Sequence, residues 1–128
     1  MVRDGKSITA SAQQSEKFDV IIVGAGISGI GSATFLRKHC PHLSFAILEA
    51  LEGHGGTWLI HKYPGTRSDS DLFTFGYSFK PWTGQPIASR DQILDYLGDA
   101  IADAGLGTFI RYGHSVTSAD WSSETASW

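Results

Sequence analysis

Sulfur is almost missing from this sequence, which has one cysteine, Cys40, and one methionine in 128 residues. A lone cysteine excludes an internal disulfide and fits a reducing compartment, so a cytoplasmic setting is expected. Basic excess is missing too: 10 Lys and Arg face 13 Asp and Glu, for a net charge of −3. That balance argues against nucleic acid as a partner. The longest apolar run, Val20 to Val23, is far too short to span a bilayer. The histidines, His39, His42, His54, His61 and His114, have neither HxxxH nor CxxC company, so no metal site is expected. Residues 1–17, MVRDGKSITASAQQSEK, lack the apolar centre of a secretory signal and read as a polar, disordered leader. Cys40, beside Pro41 at an expected helix end, reads as inert.

Glycine, by contrast, is plentiful at 15 residues, and hydrophobic residues make up 41% of the chain against 18% charged, a globular composition. The run from Phe18 to Val23 is β-branched and uninterrupted, which predicts a strand buried on both faces of a parallel sheet. From Ile27 to His39, apolar residues Ile27, Ile30, Ala33, Phe35 and Leu36 recur at helical spacing, and Pro41 stops the helix. A second strand is expected over Leu43 to Leu48. Strand, helix and strand together form a βαβ unit, so the fold class is α/β with a parallel sheet.

Residues 53–82 then mix glycine, aromatics and charges without periodicity. A loop of that length is functional or disordered, and its aromatic content argues for packing. The segment SRDQILDYLGDAIADAG reads as a helix. Ser89 and Gln92 stand at capping-box spacing, and Ile93, Leu94, Leu97, Ala100, Ile101 and Ala104 form one stripe. Gly105 sits where a C-cap glycine belongs. Two strand-like pieces, TFIRYGHSV and TSADW, follow, and Trp121 and Trp128 read as strand or terminal packing residues.

Gly24-Ala25-Gly26-Ile27-Ser28-Gly29 fits GxGxxG. The pattern follows a predicted strand, opens a predicted helix and is succeeded about twenty residues later by an acid, Glu49, at the end of the next strand. Gly24 allows the tight turn, Gly26 lets the backbone approach a pyrophosphate, and Gly29 lets helix and strand pack closely. The helix start then meets the phosphate charge. Glu49 would accept hydrogen bonds from ribose hydroxyls and disfavour a 2′-phosphate, so this site should not hold NADP. Gly26 to Ile30 is not a GxSxG elbow, and Ser28 is no hydrolase nucleophile.

GAGISG, LEA, GGTW and YPGTRSDSD, in this order and spacing, resemble the FAD-binding segment of class B flavin monooxygenases, the Baeyer–Villiger type in particular. The similarity runs from Phe18 to the end and includes SFKPWTG and VTSADW. It implies a Rossmann-like FAD-binding βαβ unit, with residues 18–128 a partial FAD-binding domain, incomplete relative to the family. By resemblance, Gly24, Gly26, Ser28 and Gly29 hold the FAD pyrophosphate and Glu49 its ribose. Thr57, Trp58, Leu59 and Ile60 lie along the flavin side, and Asp69 lies near the isoalloxazine. Arg67, Ser68 and Asp69 face the visiting NADPH. Val116, in the late strand, touches the adenine through its backbone. Phe75 falls where many relatives have tyrosine. The alternatives are an N-cap of the segment SDLFTFGY, for Asp71 more than for Asp69, a core aromatic for Trp58 and a solvated charge for Arg67.

In the family, NADPH reduces FAD, and the reduced flavin with oxygen converts a ketone to an ester or lactone, or oxidises sulfur or nitrogen. The second GxGxxG of the NADPH domain, the FxGxxxHxxxW fingerprint and the family's arginine are not in this sequence. The ending SSETASW coincides with the middle of a family strand region. The resemblance therefore implies a truncated monooxygenase, inactive alone. Two alternatives stand: one half of a split enzyme completed by a chain with the NADPH domain, or a non-catalytic FAD-binding or interaction module.

Overall fold

The computed structural model describes residues 15–128. The expected leader therefore falls mostly outside the described residues; of its last three, Glu16 pairs with the Arg111 guanidinium.

The described chain runs β1 (Val20–Val23), α1 (Ile27–His39), β2 (Phe45–Leu48), α2 (Thr57–Ile60), α3 (Leu72–Phe75), α4 (Arg90–Asp103), a single 3-10 turn (Gly107–Phe109) and β3 (Ile110–Arg111). The strands form one parallel sheet in the order β1-β2-β3. Register pairs Val20 with Phe45 and Val23 with Leu48, then Ile47 with Ile110. Parallel neighbours need a crossover between them, and α1 supplies the first over the span the spacing predicts.

Strand alternation divides the sheet into two unlike faces. Val20, Ile22, Phe45, Ile47 and Ile110 face a core completed by Ile30 and Ala33 of α1 and by Ile93, Leu97 and Ala100 of α4. On the opposite face Ile21 and Val23 stand 45% and 66% exposed. The expectation that β1 is buried on both faces is thus corrected, whereas in β2 Phe45, Ala46 and Ile47 are all buried. Both strands also begin two residues later than the apolar pattern suggested, because Asp19 and Ser44 spend their side chains on one another at the sheet's entrance.

Helix α4 owes its limits to its ends. The Ser89 hydroxyl accepts from the Gln92 amide and the Gln92 side chain accepts from the Ser89 amide, closing a capping box. At the other end Gly105 donates to the Ala102 carbonyl and Leu106 to the Ile101 carbonyl, the two bonds of a Schellman turn. Arg37, from the last turn of α1, donates to the Ala104 and Gly105 carbonyls and stacks over Phe109. The buried stripe includes Tyr96, which hydropathy alone misses, while Leu94 is only partly covered.

Beyond α4 the strand expectations shrink. Only Ile110–Arg111 of TFIRYGHSV is strand, and TSADW forms none. The chain instead closes a turn bridged between Ser122 and Ser127, where Trp121 and Trp128 pack edge to face at 5.4 Å. Residues 53–82 are ordered as expected from their aromatics, with α2 and α3 as single helical turns.

Leu97 is fully buried where α4 meets the rest of the core. Leu97→Ala should lower unfolding free energy by about 3 kcal/mol, and Ser89→Ala by about 1 kcal/mol. Urea melts of the two variants beside wild type measure both, and equal losses would contradict this account of the core.

Candidate functional site

Four residues after β1 begins, the chain must reverse from strand to helix. Gly24 does so at φ +96°, a conformation that side chains resist. Its amide donates to the Leu48 carbonyl, holding the turn against the end of β2. A Cβ on Gly29 would lie 1.9 Å from the Gly24 carbonyl oxygen, so only glycine lets the helix start this close to the strand. Gly26 is the N-cap of α1 and brings no side chain to the orphan amides of the first turn.

A second glycine turn faces the first. The Gly55 amide donates to the Ala25 carbonyl at 2.9 Å, and a Cβ on Gly56 would come within 3.4 Å of the Gly26 Cα. Gly56 is in turn the N-cap of α2, again without a side-chain cap. The two backbones line a cleft of about 260 Å³ with Val23, Ile27, Ser28, Thr57 and Trp58. The uncapped start of α1 therefore opens into this space opposite the Gly55–Gly56 turn, an arrangement suited to an anion. In the sequence this second wall is signalled by the paired glycines of GGT, which precede the expected contact residues Thr57 and Trp58.

Glu49 directly follows β2 and is 6% exposed. One carboxylate oxygen accepts from the Ala25 amide at 2.7 Å and the other from the Leu51 amide at 2.8 Å. The acid thus grips the glycine turn itself, a role that spacing did not reveal. Burial, with this nearby charge adding to it, pushes the Tyr112 phenol up.

Trp58 and Ile27 also line a smaller apolar pocket of about 70 Å³ with Ser68, Asp69, Leu72, Phe75 and Tyr96. The Ser68 hydroxyl accepts from the Ala88 amide and its own amide donates to the Ala88 carbonyl. Asp69 points its carboxylate toward Ser70, whereas Asp71 caps α3 by accepting from the Thr74 amide. The capping alternative thus holds for Asp71 and not for Asp69. Arg67 is exposed and borders an open hollow with Tyr63, Ser68, Asp69 and Ile87.

Other expected residues lie apart. Leu59 turns to a groove with His54, Leu94 and Asp95, and Ile60 is exposed. Val116 is not in a strand: the ladder ends at Arg111, and Val116 is exposed in irregular chain. Among the described residues no group of three His, Cys, Asp or Glu side chains could hold a metal ion, and no helix is long and apolar enough to cross a membrane.

Comparison with known proteins agrees with this geometry. Residues 22–87 match the family described as NAD(P)-binding Rossmann-like domain. The FAD-containing monooxygenase EthA of Mycobacterium tuberculosis is 50% identical over 115 residues, which are 89% of this chain and 24% of that protein. An oxidised steroid monooxygenase bound to NADP superposes with a TM-score of 0.74 at 34% identity, covering 84% of this chain and 21% of the other. The OTEMO complex with FAD and NADP gives 0.75 at 26% identity, covering 87% and 22%. The chain spans about a quarter of the length of the curated relatives it matches. It belongs to the NAD(P)-binding Rossmann-like domain family, and its relatives are FAD-containing monooxygenases of the Baeyer–Villiger type.

Proposed function

We propose that this chain forms the FAD-binding segment of a flavin-dependent monooxygenase that uses NADPH and oxygen. The observation that carries the reading is the pair of glycine turns, 24–29 and 55–56, facing each other beside a buried acid. The residues present fit the cofactor. A Cβ on Gly29 would strike the Gly24 carbonyl and open the glycine turn, the space beside Gly24 is free, and the uncapped start of α1 offers backbone amides to a pyrophosphate. An ionised carboxylate has about four acceptor positions, and the Ala25 and Leu51 amides use one on each oxygen of Glu49. The others suit the two hydroxyls of a ribose, and the charge repels a 2′-phosphate. Ser28, Thr57 and Trp58 would border the cofactor, with Ser68, Asp69 and Phe75 further along toward the flavin end. Leu59, Ile60 and Val116 keep their expected contacts only by resemblance.

FAD, when bound, supplies the redox chemistry by which such enzymes activate oxygen. The chain's own part is to bind and orient it. Arg67 and Asp69 are exposed at the open hollow, and by the family resemblance they would face a second, transient dinucleotide such as NADPH. This chain alone then binds flavin without oxidising NADPH, since its sequence holds a single GxGxxG. A second reading, half of a split monooxygenase, draws on β1: one edge is unpaired among the described residues, and Ile21 and Val23 are bare. A further polypeptide carrying the NADPH side would cover them.

Titration of the purified chain with FAD, read by flavin fluorescence, tests the proposal; a folded chain that takes up no FAD overturns it. Gly29→Ala should abolish binding, whereas Gly107→Ala, where a Cβ meets nothing within 4 Å, should leave it unchanged. Glu49→Gln sets an amide N–H₂ against a backbone N–H and should weaken FAD at least about tenfold. ADP-ribose should compete better than its 2′-phosphorylated form, and the Glu49→Gln change should narrow that gap.

A further inference from the structure

Tyr77 belongs to none of the motifs above, yet its side chain reaches the start of α1. Its phenol donates to the carbonyl of Ile27, the first helical residue. The hydroxyl is thereby inserted across the first turn of the helix whose open amides line the cleft. The ring reaches this place because α1 carries glycine there: a Cβ on Gly31 would lie 3.0 Å from the Tyr77 Cε1.

The other side of Tyr77 is held as firmly. Its backbone amide donates to the Tyr96 hydroxyl at 2.7 Å, and that hydroxyl donates to the Lys80 carbonyl at 2.6 Å. Its ring stacks on Phe79 at 4.6 Å and on Tyr96 at 5.7 Å. A continuous line of hydrogen bonds therefore runs from Tyr96 of α4, through the 77–80 turn, to the first turn of α1. Burial raises the Tyr77 phenol well above the ordinary tyrosine range, which keeps it a donor at any pH the protein meets.

We propose that Tyr77 is a positioning residue for the dinucleotide site: it acts as a strut, braced on Tyr96, that fixes the first turn of α1 and so the aim of its amides. The inference rests on the FAD reading for its ligand, though not for its geometry. Backbone donors bind an anion best when they need no rearrangement to do so. The strut supplies that rigidity at a helix start that has no side-chain cap of its own.

Tyr77→Phe keeps the ring stacking and removes only the bond to Ile27. Two measurements on the full chain decide the matter. Without ligand, amide hydrogen exchange at Ile30 and Gly31 should quicken about tenfold in Tyr77→Phe, while Leu97 and Ala100 of α4 exchange as in wild type. Unchanged exchange at Ile30 and Gly31, or equal quickening in α4, overturns the strut. With ligand, Tyr77→Phe should weaken FAD and ADP about five- to tenfold and leave competition by adenosine within about twofold. Equal loss for adenosine overturns the proposed aim at the pyrophosphate. Tyr96→Phe, which frees the Tyr77 amide, should give the same pattern in weaker form. Should wild type bind no FAD, the function proposed above fails, and hydrogen exchange alone still decides for or against the strut.

Discussion

Two backbone amides, those of Ala25 and Leu51, converge on the buried carboxylate of Glu49. Taking a carboxylate out of water is costly unless donors replace the lost hydration, and charge-assisted bonds to backbone N–H groups are the strong kind. The arrangement stabilises more than the acid. Around the same corner the Gly24 amide meets the Leu48 carbonyl, the Glu49 amide meets the Arg111 carbonyl, and the His114 amide meets the Glu49 carbonyl. The glycine turn, the end of β2 and the exit from β3 are thus tied at one point. The cleft has its shape because this corner cannot relax.

The two long helices divide the labour of their N-termini in opposite ways. Helix α4 is closed by Ser89 and Gln92, with Asp91 in its first turn. Its terminal charge is satisfied by the protein, and its work is to carry core residues. Helix α1 has no acidic residue in its first turn and no side-chain cap, while Arg37, Lys38 and His39 crowd its last turn. The macrodipole is answered at the end away from the cleft and left open beside it. One helix start is closed by the chain's own side chains and the other is left open beside the cleft.

What the sequence discloses about such a chain follows the range of the interactions. Helices α1 and α4 are legible because spacing, Pro41, the capping box and Gly105 are local signals. The turn at Gly24–Gly29 and the acid at Glu49 are legible because the motif joins them at a fixed separation. The bare face of β1 is not, since Ile21 and Val23 are apolar whether or not anything covers them. Nor is the closeness of Gly56 to Gly26, which depends on how the chain returns after β2. Tyr77 escapes for the same reason: its partner Ile27 lies 50 positions away, and the only trace of the contact is a glycine, Gly31, inside a helix. TFIRYGHSV and TSADW alternate as strands do, yet only Ile110–Arg111 joins the ladder. After Arg111 no neighbouring strand is at hand among the described residues to pair with them.

The pairing of β3 with β2 also sets an order of events during synthesis. Glu49 draws its backbone partner from Arg111, and β2 its outer neighbour from Ile110–Arg111, more than sixty positions later. The ribosome releases about 5–20 residues each second, so the glycine turn and its acid wait several seconds for the segment that locks them. Helix α4 can form first from local bonds alone, and contacts of such long separation close late. The nascent chain therefore carries an unfinished corner around Glu49 until residues 110–111 have followed it out of the ribosome.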